Sequence, residues 1–138
     1  MKIQDIKDKT NTMNYFLLHT GGRIEKLERG HCEIVLTLGK QHQNYNEMVH
    51  GGVMLTLIDA AAGAAARTYG GRLVTLESKT NFIRGIHQEG QEIRAVSDVV
   101  HNGRTIKLCE TKVYDKGKVA CTGTTTMFLT DPEPAIEE

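Results

Sequence analysis

The chain has no excess of either charge: 17 lysine and arginine residues balance 17 aspartate and glutamate residues. A surface that binds nucleic acid needs surplus positive charge to displace counterions, so general affinity for DNA or RNA is not expected. Cysteine is scarce. Cys32, Cys109 and Cys121 are odd in number, widely spaced and set in alternating apolar stretches. That pattern suits small buried side chains in a reducing compartment better than disulfides or ligands. No apolar run reaches transmembrane length, and the opening MKIQDIKDKTNTM is too polar for a secretory leader. A cytoplasmic protein with neither membrane nor nucleic acid as partner is the expectation. The six histidines include no pair at i, i+4 spacing, so no metal site is expected. No G-x-S-x-G occurs, which removes the serine-hydrolase elbow. Internal repeats and low-complexity segments are absent too.

What is present reads as one domain over residues 1–138, long enough to build a core without staples. Ile3, Ile6, Met13, Phe16 and Leu17 predict an amphipathic N-terminal helix over 1–18, stopped by Gly21-Gly22. Residues 23–28 and 32–37 read as two strands joined across Gly30, the second with the clearer alternation. A polar loop over 39–47 leads to a long helix ended by Gly70-Gly71. Four strands follow, over 73–83, 92–100, 105–114 and 118–129. The last three of these strands are separated by HNGR, where Asn-Gly predicts a two-residue hairpin turn, and by Asp115-Lys116-Gly117. The acidic, proline-broken tail over 131–138 is expected to be disordered.

The long helix holds the main question. From Val53 to Ala66 only Thr56 and Asp59 are polar. A helix apolar on every side is expected to be buried on every side, so a curved antiparallel sheet wrapped around it is the simplest α+β arrangement. Asp59 has no lysine or arginine three or four residues away. A buried, unpaired carboxylate is costly, unless its face is exposed or bonded to Thr56. At the helix start, His50-Gly51-Gly52 gathers free N–H groups at the positive end of the dipole, a site suited to a developing oxyanion. Gly51 and Asp59 lie roughly 12 Å apart along the axis, too far to serve one carbonyl. If both act together, two helices must lie antiparallel, and a two-fold dimer with two composite sites is predicted.

The stretch NYNEMVHGGVMLTLIDAAAGAAA resembles the signature of hotdog-fold acyl-CoA thioesterases, in the phenylacetic-acid-degradation (PaaI-like) subgroup. Its elements are Asn44, then His50-Gly51-Gly52, then Asp59, and the strand LVTLESKTNFIRG, the turn HNGRT and the strand KVACTGTTTMFL follow in the expected order. The resemblance implies a hotdog fold, a sheet around a long central helix with an added N-terminal helix. It also implies hydrolysis of acyl-CoA to free acid and CoA by a homodimer or dimer of dimers. Under it Asp59 is nucleophile or general base, the Gly51 N–H polarises the carbonyl, and His50 shapes the turn. Asn44 holds water or the thiolate side, and Thr75 orients water beside the acid. Arg84 and Arg104 match regions that contact the nucleotide, with Phe82, Gly85, Gly103 and Thr105 in the same regions. The family often carries proline where Gly85 stands. No cofactor is implied. The fold also hosts dehydratases or hydratases of β-hydroxyacyl thioesters and non-catalytic acyl-CoA-binding proteins. Against the former, the sequence lacks their longer proline-rich histidine loop. Against the latter, Asp59 is present.

Overall fold

The computed structural model describes residues 1–137. Two short helices, α1 (Ile3–Met13) and α2 (Tyr15–Thr20), precede the hairpin strands β1 (Arg23–Glu28) and β2 (His31–Thr37). The long helix α3 (Gly51–Arg67) is followed by β3 (Arg72–Phe82), β4 (Glu92–Asn102), β5 (Ile106–Asp115) and β6 (Lys118–Asp131). All six strands form one antiparallel sheet in the order β1-β2-β4-β5-β6-β3. The sheet and α3 share one core, in which Leu57, Ile58 and Ala61 meet Ile34, Ile93, Ala95 and Val113. Alternation is cleanest in β5, where every second residue from Lys107 to Asp115 is buried. No helix among the described residues is long and apolar enough to cross a membrane.

Four expectations need correction. The sheet curls around only part of α3, so the helix is not buried on every side: Leu55, Asp59 and Arg67 are exposed along one stripe. Small residues do not report which face meets solvent, because alanine suits either. The N-terminal helix is there but broken at Asn14, whose side chain accepts the Leu17 N–H and caps α2. The Asn-Gly pair does not make the two-residue turn. Neither Asn102 nor Gly103 has a positive φ, which that turn requires, and three residues separate β4 from β5. The primed geometry sits instead at Lys116-Gly117, with φ of 52° and 75°. The tail, finally, is tied down by hydrogen bonds: Gly71 N–H donates to the Pro134 carbonyl, and Glu137 N–H to the Met1 carbonyl. Residue 138 lies outside the described residues.

On the outer face of the sheet, His31 stands between two carboxylates, 2.7 Å from Asp98 and 2.8 Å from Glu33. Arg94 continues the network to Glu33, Glu25 and Glu92. Burial alone would depress the His31 pKa, but the hydrogen bonds to Glu33 and Asp98 outweigh it and raise it. A histidine whose folded pKa is raised contributes stability that is full below its ordinary value near 6.5 and fades as pH climbs through the raised value. Melting temperatures of wild type and His31→Gln should therefore converge as pH rises from 6 to 9. A gap that stays constant across that range would show that the imidazolium charge adds nothing.

The three cysteines are free and buried. Burial pushes the Cys109 thiol up to about 12 and the Cys121 thiol up to about 11, and it raises Cys32 further still. Such thiols are held neutral and are poor nucleophiles.

Candidate active site

The loop before α3 is built around its own polar side chains. Asn44 Oδ1 accepts the N–H groups of Asn46 and Met48, at 2.9 and 3.2 Å, which folds residues 44–48 into a tight turn. Glu47 takes the left-handed conformation within it. Buried His42 anchors the segment: its Nδ1 accepts the Gly39 N–H, its Nε2 meets the Thr20 carbonyl, and its own carbonyl accepts the His50 N–H at 2.8 Å. His42 was not singled out by the sequence, although it fixes where His50 begins the helix.

His50 is the N-cap of α3, and its Nδ1 accepts the Gly52 N–H at 2.8 Å. Its carbonyl accepts the Val53 N–H at 2.9 Å. That leaves the Gly51 N–H without a protein acceptor among the described residues, at the positive end of a 17-residue helix. A side chain would be crowded at both positions. A Cβ at Gly52 would sit 3.0 Å from His50 Nδ1, inside the cap, and one at Gly51 would sit 3.2 Å from the Phe82 ring. Phe82, at the end of β3, therefore closes one side of the helix entrance.

Two turns of helix further on, Asp59 faces solvent. The Thr75 hydroxyl donates to its Oδ1 at 2.7 Å, so the strand fixes the direction of the carboxylate. The alternative partner is otherwise engaged: the Thr56 hydroxyl donates to the Gly52 carbonyl. Asp59 has no cation within ion-pair distance among the described residues. No group of three or more His, Cys, Asp or Glu among them is placed to hold a metal ion.

The site residues fall into two sets at opposite ends of β3. Asn44, His50, Gly51 and Phe82 gather at its C-terminal end, with Arg84 and Gly85 just beyond. Arg84 forms a 3.2 Å ion pair with buried Asp115. Gly85 leaves room for the Met48 methyl, which a Cβ would strike. Thr75 and Asp59 gather near the other end. There Thr75 is in register with Met127 and, through it, Lys107, which follows the loop of Gly103, Arg104 and Thr105. Lys107 is buried and holds this loop, donating to Asn102 Oδ1 and to the Gly103 carbonyl. Burial lowers its pKa. A buried lysine inside an alternating strand carries no sequence signal of that role. Within one chain, then, the two sets are not brought together.

The folded chain resembles known proteins in sequence and in shape. A family model described as the thioesterase superfamily matches residues 46–122. A candidate esterase of Thermoplasma volcanium is 31% identical over 93 residues, covering 66% of this chain and 68% of that protein. The structure of a hypothetical thioesterase from Streptococcus pneumoniae with coenzyme A superposes with a TM-score of 0.76 at 28% identity, over 80% of this chain and 90% of that one. Further structures of that protein carry alanine in place of an aspartate and of a threonine, separated in sequence as Asp59 and Thr75 are. The Escherichia coli PaaI protein gives a TM-score of 0.89 over 98% of this chain and 96% of its own; at 18% identity it speaks for the hotdog fold alone. On the family match, which spans more than half of its length, the chain belongs to the thioesterase superfamily.

Proposed function

We propose that the protein hydrolyses acyl-CoA thioesters in a site that two copies of the chain build together. One observation carries the reading: an open Gly51 N–H at the helix start, and a Thr75-oriented carboxylate at Asp59, too far along the same helix to meet it. A second copy running antiparallel brings each to the other. The thioester carbonyl oxygen accepts the Gly51 N–H of one copy, where the helix dipole favours the charge that develops. Asp59 of the other copy either attacks the carbonyl carbon or takes a proton from the water that does. On the first route the C–S bond breaks to leave an acyl–Asp59 anhydride, which water then hydrolyses; on the second, water adds to the carbonyl and the C–S bond then breaks. On either route the proton lost by water ends on the sulfur, and the acid and the thiol of CoA leave. With its Oδ1 occupied, Asn44 offers its amide N–H groups to the water or to the sulfur side. With Nδ1 accepting the cap bond, His50 has its Nε2 left to contact the leaving-group side of the substrate.

The assembly is supported by β3. It lies at the edge of the sheet, and Val74, Leu76 and Phe82 are exposed along it. Antiparallel pairing of β3 with β3 of a second copy covers that edge and brings the two sets of residues into register. A further doubling into a dimer of dimers follows the resemblance. The CoA-bound pneumococcal relative supports the thioester class. Thiol release from acyl-CoA, dependent on Asp59, is the test; no release from any acyl-CoA overturns the reading.

Arg84 and Arg104 serve the nucleotide of CoA in this arrangement, one from each copy. Removing either charge, as in Arg84→Gln or Arg104→Gln, should raise KM for acyl-CoA about tenfold with little change in kcat, because uniform binding is lost. The same variants should handle a truncated pantetheine thioester normally. Equal losses on both substrates would assign the arginines to the fold, with the Arg84–Asp115 pair as the reason for the first.

A further inference from the structure

The exposed stripe of α3 does not end at Asp59. A groove of about 370 Å³ holds the Asp59 carboxylate and is walled by Asn14, Phe16, Leu17, Leu55 and Ala60. Asn14 also borders a larger cavity of about 750 Å³ beneath α1, floored by Met13, Leu73 and Val74 and rimmed at its far side by Lys9 and Arg67. The two spaces share Asn14, at the α1–α2 break, as a lining residue. Phe16 is 68% exposed and Leu55 43%, which is more apolar surface than the single chain has use for at this place.

We infer that these two spaces, joined past Asn14, form the acyl subsite, and that its occupant is an unbranched, uncharged acyl chain of medium length. The inference rests on the thioesterase reading above. Apart from Asp59 the wall beside the carbonyl is free of charge, so it favours an apolar chain over a polar or anionic one. From Asp59 to Arg67 the helix advances roughly 12 Å, which sets the length. At the far end Arg72 pairs with Asp131 and the Met1 amine with Glu137, whereas Lys9 and Arg67 have no carboxylate within ion-pair distance among the described residues. A chain long enough to cover those two cations strips them of water, and binding stops improving. Asn14 is the positioning residue at the junction, because its cap bond to Leu17 holds the break between α1 and α2 open.

The test is kcat/KM for acetyl-, butanoyl-, octanoyl- and hexadecanoyl-CoA on wild type, Met13→Trp and Arg67→Leu. Each buried methylene contributes about fourfold. Octanoyl-CoA should therefore exceed butanoyl-CoA by at least ~10-fold, and hexadecanoyl-CoA should fall back below octanoyl-CoA. Met13 is exposed, so tryptophan there fills the cavity from outside the core. It should lower the octanoyl-to-acetyl ratio at least ~10-fold, while Arg67→Leu should raise hexadecanoyl over octanoyl. Wild-type turnover that depends on Asp59 yet is flat with chain length would overturn the trough and leave the thioesterase reading standing. So would chain-length ratios that neither variant moves. No turnover of any acyl-CoA would overturn both.

Discussion

Asp59→Asn should lower kcat for thiol release by at least ~10²-fold, the scale expected for a positioned acid, base or nucleophile. The substitution keeps the size of the side chain and an oxygen to accept the Thr75 hydroxyl, so the strand-to-helix bond can survive it. It removes the negative charge and the lone-pair basicity. Because Asp59 lies on the exposed stripe, no buried charge is relieved or stranded. The melting temperature should stay within about 3 °C of wild type, as for other surface substitutions. Thiol release and thermal melting should be read on the same preparation. Near-wild-type turnover, or a loss that tracks unfolding, would make Asp59 a structural residue and remove the base from the mechanism.

Gly51→Val should be as damaging, by a different route. Its side chain would crowd the Phe82 ring and cover the N–H that the carbonyl oxygen needs, at a cost of about 10²–10³ in kcat for one lost oxyanion donor. The more telling result comes from combining the two inactive proteins. If Gly51 of one copy works with Asp59 of another, dissociating and reassembling an equal mixture yields hybrid dimers with one intact and one doubly damaged site. About a quarter of wild-type activity should return. A site complete within one chain gives no recovery at any mixing ratio. Circular dichroism of each variant before mixing separates this outcome from simple misfolding.

The sheet was legible in the sequence because five of its six strands alternate over runs long enough to mark their period, and turns separate them. The spacing of His50, Gly51 and Asp59 was legible for a related reason: a cap, a helix start and a position two turns later are local features, whereas Asn44 came from the resemblance. Thr75 beside Asp59 came from the resemblance, and the structure joins them at 2.7 Å. What escaped depends on register between distant segments. Arg84 meets Asp115 only because β3, β6 and β5 align with bulges between Thr75 and Glu77 and between Val113 and Tyr114. Whether Asp59 is exposed was left open, because alanine-rich helices look alike on every face. The break at Asn14 escaped because the apolar residues on either side still fit one helical period. Asn102-Gly103 misled for the opposite reason: the pair has the right chemistry for a primed turn, but a bulge between Val99 and His101 shifts where β4 ends.

The outer edge of β3 is also a hazard to any chain left alone. Its unpaired N–H and C=O groups, beside exposed Leu76 and Ile83, are a template for foreign strands and for growing fibrils. Such edges are commonly guarded by proline, by inward charges or by a bulge. β3 has the bulge, next to Thr75, but no proline. A guard placed at Val74 or Leu76 would spoil the proposed β3–β3 seam, and one at Thr75 or Phe82 would strike the residues beside Asp59 and Gly51. The composition of this strand is therefore constrained from two sides. Any lineage that tried to make the lone chain safe from aggregation would do so at the expense of the surface on which the proposed dimer forms.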